Sequence, residues 1–266
     1  MMVNVRVIPC LLLHKGGLYK TVQFKKPTYI GDPINAIKIF NEKEVDELIF
    51  LDIDASAGMK EPNYKVIEDI ASECFMPLCY GGGVKTIEQM KKIYFLGVEK
   101  ISLGSAAVEN PHLITEASKL FGKQSVVVTI DFKKNFWGQQ KVFIRNGKVG
   151  TGLDVLTFAQ QAEAYGAGEI ILNSIDRDGM MNGYDIEMIT KIKQILNVPI
   201  VALGGSGSIT DMQNVVKETG INAVAAGSMF VYQGPLKGVL INYPSYSKLQ
   251  EVFDSQTTLQ KDRNIT

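Results

Sequence analysis

The stretch Tyr80-Gly81-Gly82-Gly83 returns as Leu203-Gly204-Gly205-Ser206, with Gly81 and Gly204 123 positions apart. Leu103-Gly104-Ser105 returns as Ala226-Gly227-Ser228 at the same separation. Leu51-Asp52-Ile53-Asp54 returns as Asn173-Ser174-Ile175-Asp176, one position closer. A chain that repeats itself once over such an interval folds into two like halves, each long enough for about four strand–helix units.

Within each half, short runs rich in Val, Ile, Leu and Ala alternate with helical patterns. The runs at 5–13, 47–53, 77–80, 100–103, 125–131, 169–173, 198–203 and 223–226 read as strands covered on both faces. Helices are expected at 33–41, 64–73, 87–95, 111–120, 155–165, 186–195 and 211–218, and a last one at 245–253. Asp32 before Pro33, Thr86, Asn110 before Pro111, and Thr210 read as their caps. Eight strands alternating with helices give a parallel α/β sheet at the number where it closes on itself. The expected architecture is a (β/α)₈ TIM barrel made of two duplicated half-barrels, one domain over residues 1–266. An open doubly wound sheet is the competing arrangement, but its crossed strand order does not require matching halves.

Lys plus Arg equal Asp plus Glu at 28 each, so nothing draws the chain to nucleic acid or to an anionic membrane. The apolar runs are too short to span a bilayer, and no leader is read. Cys10, Cys74 and Cys79 lie in apolar runs without ligand spacing, which suits reduced thiols in the cytoplasm. With only His14 and His112, neither a histidine metal centre nor a Ser-His-Asp triad is expected, and no cofactor is read.

Two connections are long, His14 to Gly31 and Lys133 to Gly152, and both follow strands, on the side where barrels carry their sites. In the second, Val142-Phe143-Ile144 can pair with Lys148-Val149 as a hairpin. Gly81-Gly82-Gly83 and Gly104-Ser105 each end a strand, and backbone amides freed there suit a phosphate. Gly204-Gly205-Ser206-Gly207 and Gly227-Ser228 repeat the arrangement, so a substrate with a phosphate at each end would bridge the mouth. Carboxylates cluster at the same strand ends. Asp131 closes the fifth strand after an apolar run, and proton transfer is the favoured reading over a structural role because its burial is otherwise costly. Asp178 before Gly179 faces a ligand, and Asp176 fixes the loop around Arg177. Asp52 reads equally as a functional acid or as half of an ion pair in the mouth, with Asp54 beside it.

Several of these phrases together resemble HisF, the cyclase subunit of imidazole glycerol phosphate synthase. They are 46–52, Gly81-Gly82-Gly83, 106–111, 166–170 and Ser174-Ile175-Asp176-Arg177-Asp178-Gly179, in order from about Arg6 to Phe230. The resemblance implies a bis-phosphorylated substrate held across the top of the barrel. Its site residues would be Lys20, Gly83, Gly104, Ser105, Asp178, Gly179, Gly205, Gly227 and Ser228. It implies a HisH-type glutaminase docked below as a heterodimer, and ammonia passing along the axis through a gate of Arg6, Glu47, Lys100 and Glu169.

In that family two acids at the ends of strands one and five run the ring closure. Asp131 matches the second, but the first falls on Leu12 in Cys10-Leu11-Leu12-Leu13. Asn173, Leu203 and Gly104 stand where the family has Thr, Ser and Asn. The chain is similar to a branch of second-copy HisF paralogues linked to amidation of surface-polysaccharide sugars, through 18–24, 52–56, 135–138 and 239–244. That likeness implies an ammonia-handling subunit serving a phosphorylated or sugar-linked acceptor, with help from a separate amidotransferase. Two other readings stay open: a working histidine-biosynthesis cyclase with the missing acid replaced, and a non-catalytic activator of the glutaminase.

Overall fold

The computed structural model describes residues 5–58 and 60–253, so residues 1–4, 59 and 254–266 of the expected span lie outside the described residues. Eight parallel strands form the barrel: β1 Arg6–His14, β2 Leu48–Asp52, β3 Leu78–Gly81, β4 Lys100–Leu103, β5 Val126–Lys134, β6 Glu169–Ser174, β7 Ile200–Leu203 and β8 Ala223–Ala226. Neighbours in sequence are neighbours in the sheet, β8 pairs with β1, and β5 pairs with β6 over Glu169–Ser174, which closes the ring. The helices that follow are α1 Pro33–Glu42, α2 Tyr64–Glu73, α3 Ile87–Phe95, α4 His112–Phe121, α5 Val155–Tyr165, α6 Ile186–Ile195 and α7 Ile209–Thr219, with residues 246–253 helical as α8.

The alternation along each strand divides the interior in two. Val126 and Val128 of β5 point outward and pack with Ile170 and Leu172 of β6 under the helices. Val127 and Ile171 point inward and meet Ile8, Cys10, Ile49, Cys79, Val201, Ala223 and Ala225. Because both faces are buried, each such side chain contributes about 1.5–3 kcal/mol, which is why these strands read as unbroken apolar runs. The inner layer mixes isoleucine with cysteine and alanine and holds no charge.

Asp32 accepts from the Asn35 N–H, and Thr86 and Gln89 form a reciprocal capping box, as expected of both positions. The expected caps at Asn110 and Thr210 are corrected. Asn110 instead ends a short helix, Ser105–Glu109, and Pro111 precedes α4 without a side-chain cap. Helix α7 starts two residues earlier than read because Ser208, not Thr210, accepts from the Asp211 N–H. Three short helices, Ile53–Gly58, Ser105–Glu109 and Ser228–Val231, follow β2, β4 and β8 and carry no pattern long enough to read from sequence.

Both long connections are hairpins. Gly17–Val22 pairs back on β1, and Lys25–Gly31 pairs on Gly17–Val22. Beyond the barrel rim β5 runs on to Lys134 and pairs with Gln140–Ile144, which pairs with Val149–Asp154. Asp131 therefore lies within β5 rather than at its end, opposite Phe143. No helix among the described residues is long and apolar enough to cross a membrane.

Candidate functional site

At the floor of the barrel four charged side chains close a ring. Arg6 and Lys100 start β1 and β4, Glu169 starts β6 and Glu47 precedes β2. Arg6 Nη1 lies 2.6 Å from Glu47 Oε2, and Arg6 also pairs with Glu169. Lys100 Nζ lies 2.9 Å from both Glu47 and Glu169, so each carboxylate bridges both cations. The two glutamates are buried. Burial opposes charging of Lys100, but the facing carboxylates, Glu169 first, hold its ammonium above its ordinary value. The sequence reading brought these four together, and the structure places them in contact. Above the ring lies the uncharged inner layer, and above that the mouth.

The mouth is a cavity of about 90 Å³ bordered by Leu12, Leu51, Ser102, Thr129, Asp131, Asn173 and Gly227 among others. Surrounding protein pushes the Asp131 carboxyl up to about 7; the neighbouring Asp178 adds to this, and the Asn173 amide, donating at 2.8 Å, works against it. A carboxyl poised there can give or take a proton near neutral pH. Leu12 lies on the same cavity and offers nothing to exchange. Ser102 and Thr129, on adjacent strands, share a hydrogen bond of 2.5 Å between hydroxyls, and Asn173 leaves its carbonyl oxygen without a donor.

Lys20 and Asp178, 158 positions apart in sequence, form a buried pair at 2.6 Å, with Thr21 Oγ1 donating to the second carboxylate oxygen at 3.1 Å. Asp178 thus borders the cavity with its charge already matched. Gly179 packs against the Thr21 carbonyl and the Val22 backbone, where a Cβ would come within 2.5 Å; it lines neither cavity, and its glycine answers to loop packing. Asp176 accepts from the Lys134 N–H and joins its loop to the β5 extension.

The other two carboxylates each have local partners, and Asp52 also borders the mouth. The ion-pair reading of Asp52 is corrected: its Oδ1 accepts from the Asp54 and Ala55 N–H groups and caps the helix Ile53–Gly58. Asp54 pairs with His14 Nδ1 at 2.6 Å.

The glycine cradles differ. The first opens as a small cavity of about 30 Å³ bordered by Gly82, Gly83, Lys85, Gly104 and Ser105, with Glu109 and Arg145. Of the second, Gly227 borders the mouth beside the Lys20 stem, Ser228 is buried, and Gly205 packs under the Gly183 carbonyl. Gly82 and Gly205 share a left-handed backbone, φ 123° and 114°, and a Cβ on either would strike a carbonyl oxygen at 2.4 and 2.1 Å. Gly104 has no such need, since the nearest atom to a Cβ there is 3.9 Å away.

Sequence reasoning missed the tip of the second hairpin. Asn146 borders the mouth and Arg145 the first cradle. The signal was available in Arg145-Asn146-Gly147, a turn triplet that must fold back over whatever the hairpin covers.

The family profile described as histidine biosynthesis protein matches residues 6–237. A Pseudomonas aeruginosa protein named "Putative imidazole glycerol phosphate synthase subunit hisF2" is 54% identical over 248 residues, 93% of this chain and 99% of its own. A Vibrio vulnificus protein whose name differs only in ending hisF3 is 50% identical over 254 residues, 95% and 98% of the two chains. The Alkaliphilus metalliredigens protein named imidazole glycerol phosphate synthase subunit HisF is 39% identical over 231 residues, 87% and 92% of the two chains.

Proposed function

The chain belongs to the histidine biosynthesis protein family as a HisF-type barrel, and from that premise we propose that it is the ammonia-receiving subunit of a cytoplasmic glutamine amidotransferase. A HisH-type glutaminase docks on the floor face. Ammonia passes the Arg6–Glu47–Lys100–Glu169 ring, crosses the uncharged inner layer as the neutral molecule, and reaches an acceptor at the mouth. The acceptor is phosphorylated or sugar-linked, and the product is an amidated surface-polysaccharide sugar.

The observation that carries this reading is the pairing of the charged floor ring with a mouth where Asp131 stands at one of the two acid positions of ring closure and Leu12 at the other. Asp131 borders the cavity and so does Leu12. A leucine transfers no proton, and loss of one partner from an acid–base pair costs about 10²–10⁴-fold in rate. The retained Asp131, near-neutral in affinity for its proton, suits deprotonation of ammonium or protonation of a leaving group.

The test supplies the purified protein with the histidine-pathway substrate and an ammonium salt and follows product by absorbance. Turnover at least ~100-fold below that of an ordinary HisF is expected, with part of it regained in Leu12→Asp. Ordinary turnover by the unaltered chain would make it a working cyclase and end this proposal. Mixing with a HisH-type glutaminase should raise glutamine hydrolysis and yield a stable heterodimer; neither effect occurring would remove the partner.

A further inference from the structure

The tip of the hairpin after β5 brings a cation to the first cradle that the reading above leaves unused. Arg145 and Asn146 sit at φ 54° and 55°, a left-handed backbone common at hairpin tips and easy for asparagine but unusual for arginine. Four contacts hold the tip in place. The Arg145 N–H donates to Ser105 Oγ at 3.0 Å, and its guanidinium donates to Glu109. Asn146 Nδ2 donates to the Ile53 carbonyl at 2.7 Å, and Lys133 Nζ donates to the Gly147 carbonyl at 3.2 Å. The tip is thereby tied to the rim at β2, β4 and β5.

The bond to Glu109 is the weak one. Nη2 and Nε, at 2.8 and 3.2 Å, both go to the same oxygen, Oε1. That arrangement leaves the two-pronged match between guanidinium and carboxylate unused. The side chains of Arg145 and Glu109 are 39% and 37% exposed, so water screens their attraction. Around the cradle Lys85 and Arg145 face Glu109 as the one carboxylate of the lining. A phosphoryl dianion there offers Arg145 two parallel acceptors and carries twice the charge of Glu109. Ser105, already accepting from the Arg145 N–H, keeps its own hydrogen to donate inward.

We propose that Arg145 is the specificity-determining cation of the first cradle. Glu109 holds its guanidinium in reserve, and the phosphoryl end of the acceptor takes the place of Glu109. The ligand class is a phosphomonoester, favoured over an uncharged sugar end. This deepens the proposed function and rests on its phosphorylated acceptor, with the glycine cradle read from the sequence as the phosphate site.

The experiment titrates inorganic phosphate into the full-length protein by calorimetry and follows hydrogen exchange across the two hairpin strands Gln140–Ile144 and Val149–Asp154. In the unaltered protein phosphate should slow exchange there. Arg145→Ala should weaken binding about tenfold and remove that protection, and Arg145→Lys should restore only part. Glu109→Gln, which frees the guanidinium, should tighten binding about threefold. Melting temperatures close to that of the unaltered protein exclude a folding defect as the cause. Phosphate bound equally by all four proteins, or bound without effect on the hairpin, overturns the role of Arg145 and leaves the cradle reading standing. Absence of any phosphate binding to the unaltered protein brings down both.

Discussion

Asp131 holds its proton more tightly in the folded chain than an exposed aspartate does, because protein surrounds the carboxyl and Asp178 lies near. The sign of the consequence follows from proton counts. From about pH 4, where an unfolded aspartate ionises, up to about 7, the folded state carries the extra proton. Stability therefore falls as pH rises through that window, and the full cost is present above it. Asp131→Asn, which cannot ionise and keeps the shape, should raise the melting temperature by several degrees at about pH 8 and by little at about pH 4.5. The same variant should abolish proton-transfer chemistry at the mouth. Identical melting curves for the two proteins at both pH values would count against the perturbed carboxyl. Asn173 is the residue that keeps this shift moderate, since its amide donates to the ionised form.

At the scale of turns and hairpins, two glycines that look alike in sequence carry different burdens. Gly205 sits at φ 114° with the Gly183 carbonyl 2.1 Å from where a Cβ would stand. Gly104 opens toward the first cradle with 3.9 Å to spare. Gly205→Ala should lower stability by more than about 3 kcal/mol or prevent folding, while Gly104→Ala should stay within about 1 kcal/mol of the parent. Denaturant titration of the two variants checks this; equal losses would mean that the turn geometry is wrong. The hairpins belong to the same scale. Each doubles back over the mouth, and the two are counterparts in the repeat: Gly17–Val22 and Lys25–Gly31 follow β1 as Gln140–Ile144 and Val149–Asp154 follow β5.

The two ends of the whole barrel differ in character. Phe75 lies between α2 and β3, Phe95 ends α3, and Leu120 is near the end of α4, so all three belong to the floor, where the charged ring sits. They are 84%, 90% and 55% exposed, and large apolar side chains left in water on one face suit a docking surface. Paired Phe75→Ser and Phe95→Ser substitutions should weaken association with a HisH-type glutaminase at least ~10-fold, with no loss of thermal stability. Gel filtration of the mixture reads the outcome, and an unchanged complex would move the partner to another face.

The strand–helix alternation and the doubled half-barrel were legible in the sequence for a physical reason, whereas the ring of four charges was read from the resemblance to HisF. Burial on both faces demands apolar runs of fixed length, and closure at eight strands leaves one way to arrange them. A charge at a strand start can only lie on the floor. What the sequence could not decide was which polar groups are already spent. Asp52 is used as a cap, Asp178 is matched by Lys20 from 158 positions away, and Ser105 receives an N–H from a hairpin tip. Those assignments depend on contacts between loops distant in the chain. Local pattern encodes the periodicity of an element, but the partner of a side chain at its end is set only when the ring closes and the loops meet above it.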